Sequence, residues 1–249
     1  MKSVNSDVAY DFIRKKILNG DYPPGHALMT EVLSAEIGVS RTPVRDALRK
    51  LETDGLVVIQ PRLGASVKKM YLKEFRELCE LRLALEVQMA GLAAINRTEA
   101  ELHEIEYALE GMRRLTKEVN AAKDTRPMVA ELVREDVRFH VAIMTAAKNE
   151  LMKKEILRLH LIHRVTAPAR ENMKEEGAAK AVKDAHRLHV MQAHEAIYAA
   201  IAKGDAAAAK LAMEAHIQDL INIVMRTMAR NESGVIAHEL TPEELVYST

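Results

Sequence analysis

The sequence predicts a mainly α-helical protein in two unequal parts, and three observations predict it. Caps and breakers in the first 69 residues space out three helices and then two short strands. After Met70 only long periodicities of about 3.6 residues remain. From Asn231 the chain turns polar and weakly patterned. The expected parts are therefore a head over 1–69, an antiparallel all-helical bundle over 70–230, and a C-terminal tail over 231–249.

Val8, Phe12, Ile13, Ile17 and Leu18 are spaced for one face of a first helix, which Pro23, Pro24 and Gly25 stop. Thr30 is placed to cap a second helix running through Leu33 and Ile37 to Gly38. Ser40 is placed to cap a third, with Pro43 in its first turn, where no backbone N–H is needed. Val44, Ala47, Leu48 and Leu51 fall at i, i+3, i+4 and i+7 and form its buried stripe, and Gly55 ends it. LVVIQ and ASVKK flank the turn PRLG and read as a hairpin. Three helices followed by a hairpin are the outline of a winged helix-turn-helix. In the body, six helices are predicted over 72–95, 99–121, 127–147, 150–167, 179–203 and 205–230. Thr98 and Glu101 form a capping box for the second of these. Pro127 begins the third, Pro168 closes the fourth, and Gly204-Asp205 ends the fifth and caps the sixth.

With 48% hydrophobic residues, the 249-residue chain can bury substantial cores. No apolar run is long enough to cross a bilayer, so no membrane partner is expected. MKSVNSDVAY lacks the apolar segment of a cleaved export signal, and the single cysteine, Cys79, fits a reducing cytoplasm. Net charge is zero, yet Met1 to Lys69 carries 11 Lys and Arg against 8 Asp and Glu, leaving 25 against 28 for the remainder. A basic head on an acidic body concentrates attraction for phosphate at one end.

Arg41, Arg45 and Arg49 recur every four residues, so successive members drift only about 40° around the helix. They form a ridge on a different face from Val44, Leu48 and Leu51. Guanidinium groups so arranged suit guanine O6/N7 or phosphate oxygens of double-stranded DNA. Ser40, Thr42 and the helix N-terminus add donors for phosphate, and Arg62 and the small Gly64 at the wing tip can follow the backbone or enter a minor groove. An Arg ridge alone would read as a solvated face; the ordered set of caps, breakers, ridge and wing outweighs that alternative. PPG at 23–25, GVSRTPVRDAL at 38–48, DGL at 54–56 and RLGASV at 62–67 resemble the GntR family of bacterial transcription regulators. The resemblance covers nearly all of the head and implies that Arg41, Arg45 and Gly64 contact DNA. Glu31 departs from the pattern, standing where some relatives place a DNA-contacting arginine.

In the body, Asp136 and His140 sit i, i+4 beside Val129, Leu132, Val133, Ile143 and Met144 and point inward. His194 shares the stripe of Val190, Ile197 and Ile201, and His216 that of Met213, Leu220 and Ile223. Four titratable groups on apolar faces are costly unless paired or metal-bound. One carboxylate and three imidazoles suit zinc, nickel or manganese; taken singly, each histidine reads as a hydrogen-bonded core residue. LRLALEVQMAGLAA at 81–94, DVRFH at 136–140, AHEAI at 193–197 and MEAHI at 213–217 resemble the all-helical FCD domain of the FadR-like branch. That resemblance implies a divalent metal ion on Asp136, His140, His194 and His216, and an effector cavity faced by Arg82. A small carboxylate effector would fill the open metal positions and pair with Arg82; the alternative for Arg82 is an i, i+4 ion pair with Glu86. His163 and His186 lie near inward stripes and are candidates to line the pocket, whereas His103, His160 and His189 read as ordinary surface or packing residues.

These readings combine into a metabolite-responsive transcription regulator, read as a repressor, binding a palindromic operator as a homodimer. Two other classes compete. A metal-dependent hydrolase lacks support because no helix carries His-Glu-x-x-His and Glu195 points about 100° away from His194. An effector-independent, architectural DNA-binding protein would instead show a salt-steep but sequence-indifferent affinity.

Overall fold

The computed structural model describes residues 2–122, 126–166 and 180–233. Among them it forms α1 (Lys2–Asn19), α2 (Thr30–Ile37), α3 (Arg41–Thr53), β1 (Val57–Gln60) and β2 (Gly64–Val67). The body follows as α4 (Leu72–Asn96), α5 (Glu99–Ala121), α6 (Arg126–Ala146), α7 (Glu150–Thr166), α8 (Lys180–Lys203) and α9 (Ala206–Ser233). Pro168 and the expected tail beyond residue 233 lie outside the described residues.

The head closes around one apolar core. Ala9, Ile13 and Ile17 of α1 meet Val44, Ala47, Leu48 and Leu51 of α3, with Leu33, Leu56 and Val67 completing it. The inward face of α1 is thus rotated from the expected one: Val8 is exposed and Ala9 fills its place, because α3 approaches along the Ala9/Ile13/Ile17 row. The wing strands pair antiparallel from Val57↔Val67 to Gln60↔Gly64. A third segment joins them. Gly25 N–H donates to the Val67 carbonyl, Val67 N–H to His26 and Leu28 N–H to Ala65. This pairing fixes Met29 in an extended conformation at the N-cap, and α2 begins on Thr30 itself instead of being capped by it. Ser40 occupies the N-cap of α3, but its side chain makes no capping bond.

In the body the local signals decide more. The Thr98/Glu101 capping box forms, and the Asp205 carboxylate accepts from Ala208 N–H behind a left-handed Gly204. The central helix is α4, which packs against α6, α7, α8 and α9. Its Met89 and Ala93 join Ile105 and Leu109 of α5, Phe139 and Ile143 of α6, and Ile197 of α8 in the main core. Cys79 is buried beside Phe75, and burial pushes its thiol up to about 11, which fits packing and not reactivity.

One contact joins head to body closely. Gly55, just past the end of α3, has φ +81°, and a Cβ placed there would lie 2.7 Å from Ile162 Cδ1 of α7. Beside it, Leu161 packs against the head core and Arg158 Nη1 would be 3.6 Å from the same Cβ. Glycine is needed at 55 for both its backbone conformation and this approach.

Leu51 is fully buried where α1, α3 and the wing converge. Leu51→Ala should cost about 2–5 kcal/mol through lost contacts and a residual cavity. Urea unfolding of the full chain checks this; a midpoint equal to wild type would show that the head core closes without it.

Candidate metal centre and nucleic-acid interface

Three helices bring the body's polar cluster together. Asp136 and His140 come from α6, His194 from α8 and His216 from α9. One nitrogen each of His140, His194 and His216 lies within 4.8 Å of the others. Ring centroids are 4.4 Å apart for His194 and His216, 5.3 Å for His140 and His216. Phe139 packs edge-on against His194 at 5.0 Å. Val129, expected on the same inward face as Asp136, is exposed instead.

The hydrogen bonding of His194 gives the cluster its chemistry. Its side chain has 0% exposure, and Nδ1–H donates to the Val190 carbonyl at 2.7 Å. In the neutral ring the lone pair therefore sits on Nε2. That atom is buried without a hydrogen-bond donor and lies 3.2 Å from Asp136 Oδ1, another acceptor. Two facing acceptors call for a cation or a proton between them. Burial lowers the pKa of His140 from 6.5 to about 4 and that of His216 to about 3, leaving both rings neutral near neutral pH. Burial opposes ionisation of Asp136, but a proton lying between it and His194, with the charge the neighbouring imidazoles gain on protonation, outweighs this and holds its pKa below the ordinary range. Its side chain keeps 35% exposure, which leaves the cluster open to solvent on that side. Three imidazoles and one carboxylate are a donor set that fits a borderline divalent ion.

Beside this cluster lies a second polar group that the sequence reading divided wrongly. Arg82 and Glu86, i, i+4 on α4, form an ion pair of 2.9 Å with side-chain exposures of 5% and 2%. His160 of α7, expected to be a surface or packing residue, joins them: its Nε2 is 2.8 Å from Glu86 Oε1 and 3.1 Å from Arg82 Nη2. The His160 ring is 6.5 Å from that of His140, so the two polar groups adjoin. Burial disfavours the Glu86 carboxylate, yet the Arg82 charge and the His160 contact bring its pKa down to about 2. Glu86 Oε2 has no partner among the described residues. No local signal marks His160, whose partner is 74 residues distant. His186 is exposed, against the expectation that it lines the pocket, and the side chain of His163 lies outside the described residues. His103 and His189 are exposed and pair with Glu106 and Asp219.

In the head, α3 turns its buried stripe inward and leaves Ser40, Arg41, Thr42, Arg45 and Arg49 exposed. The turn before it is set by Gly38 at φ +76° and by Ser34, whose hydroxyl donates to the Val39 carbonyl at 2.5 Å. Arg41 pairs with Glu31 across this turn at 3.2 Å, an exposed contact worth about 0–1 kcal/mol. Arg45 and Arg49 make no ion pair among the described residues. The wing is tied to α3 by Ile59 N–H donating to Glu52 Oε1. At its tip Leu63 N–H donates to the Gln60 carbonyl over Pro61 and Arg62, with Arg62 at φ +68° and Gly64 at φ +90°. This is a type II turn with arginine where glycine is usual.

A winged helix-turn-helix with an exposed arginine ridge, joined to a helical bundle holding a polar cluster, is the layout of a two-part transcription regulator. The chain belongs to the gntR family of bacterial regulatory proteins, whose model matches residues 5–67, and its body is an FCD domain, matched over residues 77–219. It is 30% identical over 225 residues to the HTH-type transcriptional regulator LutR of Bacillus subtilis (strain 168), covering 84% of this chain and 95% of that one. It is 26% identical over 234 residues to the HTH-type transcriptional repressor RspR of Escherichia coli (strain K12), covering 92% of each. Its fold is similar to that of E. coli McbR/YncC, with a TM-score of 0.66 at 19% identity over 89% of this chain and 97% of that one. The family and these relatives regulate transcription and are not enzymes, and the head is DNA-binding by family. No helix among the described residues is long and apolar enough to cross a membrane.

His140, His216 and Glu86 all have folded pKa values below their ordinary ones, so each stabilises the fold above its unfolded pKa and loses that contribution as pH falls. For the histidines the loss begins near 6.5 and runs to about 4 and about 3; for Glu86 it runs from 4.5 to about 2. Chelator-treated protein should therefore have a thermal midpoint that is level above pH 7 and declines steadily below 6.5. A midpoint unchanged down to pH 4.5 would mean the imidazoles are not buried as neutral groups.

Proposed function

We propose that the chain is a metabolite-responsive repressor that binds a palindromic operator as a homodimer in the cytoplasm, with a metal-assisted carboxylate site in its helical part. Residues 1–69 read DNA in this proposal, and residues 70–230 hold the effector. The observation that carries it is the triad of His140, His194 and His216, whose nitrogens lie within 4.8 Å of one another, with Asp136 Oδ1 3.2 Å from His194 Nε2. Asp136, His140, His194 and His216 would hold zinc, nickel or manganese, and a bound divalent ion supplies open positions that attract a carboxylate. Arg82 is the companion anchor. Glu86 and His160 orient its guanidinium in a buried setting, where pairing with an effector carboxylate is stronger than in water.

On DNA, Arg41, Arg45 and Arg49 face the major groove, with Ser40 and Thr42 on phosphates and Arg62 and Gly64 following the backbone from the wing. One recognition helix reads few base pairs, so a two-fold pair of heads on inverted half-sites is the arrangement that gives a useful site. The names of relatives such as RspR favour repression over activation.

Elemental analysis of purified protein beside an Asp136→Ala/His140→Ala variant tests the site directly. Near-stoichiometric metal in wild type alone is the expected result. Absence of metal from both, after zinc, nickel and manganese have been supplied, would sink the metal-assisted reading. His194→Ala should likewise lose metal and effector response while keeping operator binding. Arg45→Ala should cost about 1–3 kcal/mol at a duplex selected by the wild-type protein and relax base preference there. A uniform loss on all sequences would instead assign Arg45 to phosphate.

A further inference from the structure

The sensor reading leaves open how a pocket in the body reaches the recognition helix. The helix α7 touches both the Arg82–Glu86 pair and the end of α3. His160 and Ile162 are two residues apart on it, so their side chains leave the helix about 200° apart, toward nearly opposite sides. His160 bridges Glu86 and Arg82, and its ring lies 6.5 Å from that of His140. Ile162 approaches Gly55, where a Cβ would lie 2.7 Å from its Cδ1. Flanking residues reinforce both grips. Leu159 and Ile162 pack with Leu78 of α4 one turn before Arg82, and Leu161 packs against the head core. On the head side, Asp54 caps α3 and accepts the Tyr10 hydroxyl at 2.6 Å, and it attracts the Arg158 guanidinium.

We infer that α7 is the transmission element between the two parts: His160 senses the state of the Arg82–Glu86 pair, and Ile162 delivers it to Gly55 at the end of the recognition helix. The inference rests on the proposed sensor role of the body and specifies its output. A helix is stiff along two residues, so a lateral shift or roll that relaxes His160 against Glu86 moves Ile162 by a similar amount. The approach at Gly55 is close, with Ile162 Cδ1 2.7 Å from where a Cβ would lie, so a displacement of α7 is felt at the end of α3. The Glu86 oxygen without a partner is the adjustable end of the chain, since a ligand donating to it competes with His160 for the same carboxylate. His160 and Ile162 are positioning residues in this scheme; neither needs to touch DNA.

Hydrogen exchange of the metal-free full-length protein tests this through the amides of Asp54, Gly55 and Leu56, which donate to the Lys50, Glu52 and Leu51 carbonyls. Glu86→Gln weakens the His160 contact without changing size. It should alter exchange at these three amides by about fivefold or more, the usual lower range of coupling between sites. The same substitution in an Ile162→Ala background should leave them unchanged. The relay is overturned if Glu86→Gln has no effect at 54–56, or the same effect in both backgrounds. The amides of Ala147 and Ala209, bonded to the Ile143 and Asp205 carbonyls, report whether the body has simply loosened. Should they accelerate equally, His160→Gln replaces Glu86→Gln and Ile162→Val replaces Ile162→Ala, and the same two outcomes decide. Zinc uptake, measured separately on the wild-type sample, reports on the metal reading alone, so either idea can fail without the other.

Discussion

A polar group in a helical core must find a partner, and in this protein that constraint organises the body. Seven side chains that would ordinarily seek water converge between α4, α6, α7, α8 and α9: Arg82, Glu86, Asp136, His140, His160, His194 and His216. Half of the problem is solved internally. Arg82 neutralises Glu86 in a buried ion pair, and His160 Nε2 stands within hydrogen-bonding distance of both. The other half is not. Asp136 and the three imidazoles offer lone pairs to one another and few protons, which burial of His140 and His216 makes still scarcer. Such an arrangement could hold a metal ion, which would supply the positive charge it lacks.

The head answers the same constraint in the opposite way. Its core is apolar throughout, and its charges are turned outward and left largely uncompensated along Arg45 and Arg49. Glu31 is the exception, drawing Arg41 across the turn and so partly shielding the first residue of the ridge. Such a pair is weak enough to exchange for a phosphate or a base edge, so Glu31 tunes the availability of Arg41 without removing it.

Much of this was legible in the residues. Six body helices follow from periodicity and punctuation because each helix is a local object: Thr98 meets Glu101 and Asp205 meets Ala208 within one turn. That His140, His194 and His216 come together was legible for a related reason, since an imidazole on an apolar stripe is conspicuous wherever the stripe folds. What escaped were pairings between distant segments. The Gly25–Leu28 edge added to the wing moved the start of α2, and nothing near Thr30 records it. The rotation of α1 that buries Ala9 in place of Val8 depends on where α3 lies. His160 carries no local mark because its role is conferred by Arg82 and Glu86, more than seventy positions away.

The bond from His194 to Val190 has a consequence for how secure the cluster is. Val190 lies one turn back on the same helix, so the proton on Nδ1 is held by α8 alone. The electronic character of this imidazole is therefore a property of secondary structure, present in any arrangement in which α8 is wound. Its surroundings are the reverse, assembled from α6 and α9 and sensitive to every shift between them. The ring thus behaves as a fixed reference point around which the neighbouring helices can be displaced, and substitutions that loosen the bundle will disturb the distances of the site before they disturb the character of its central donor.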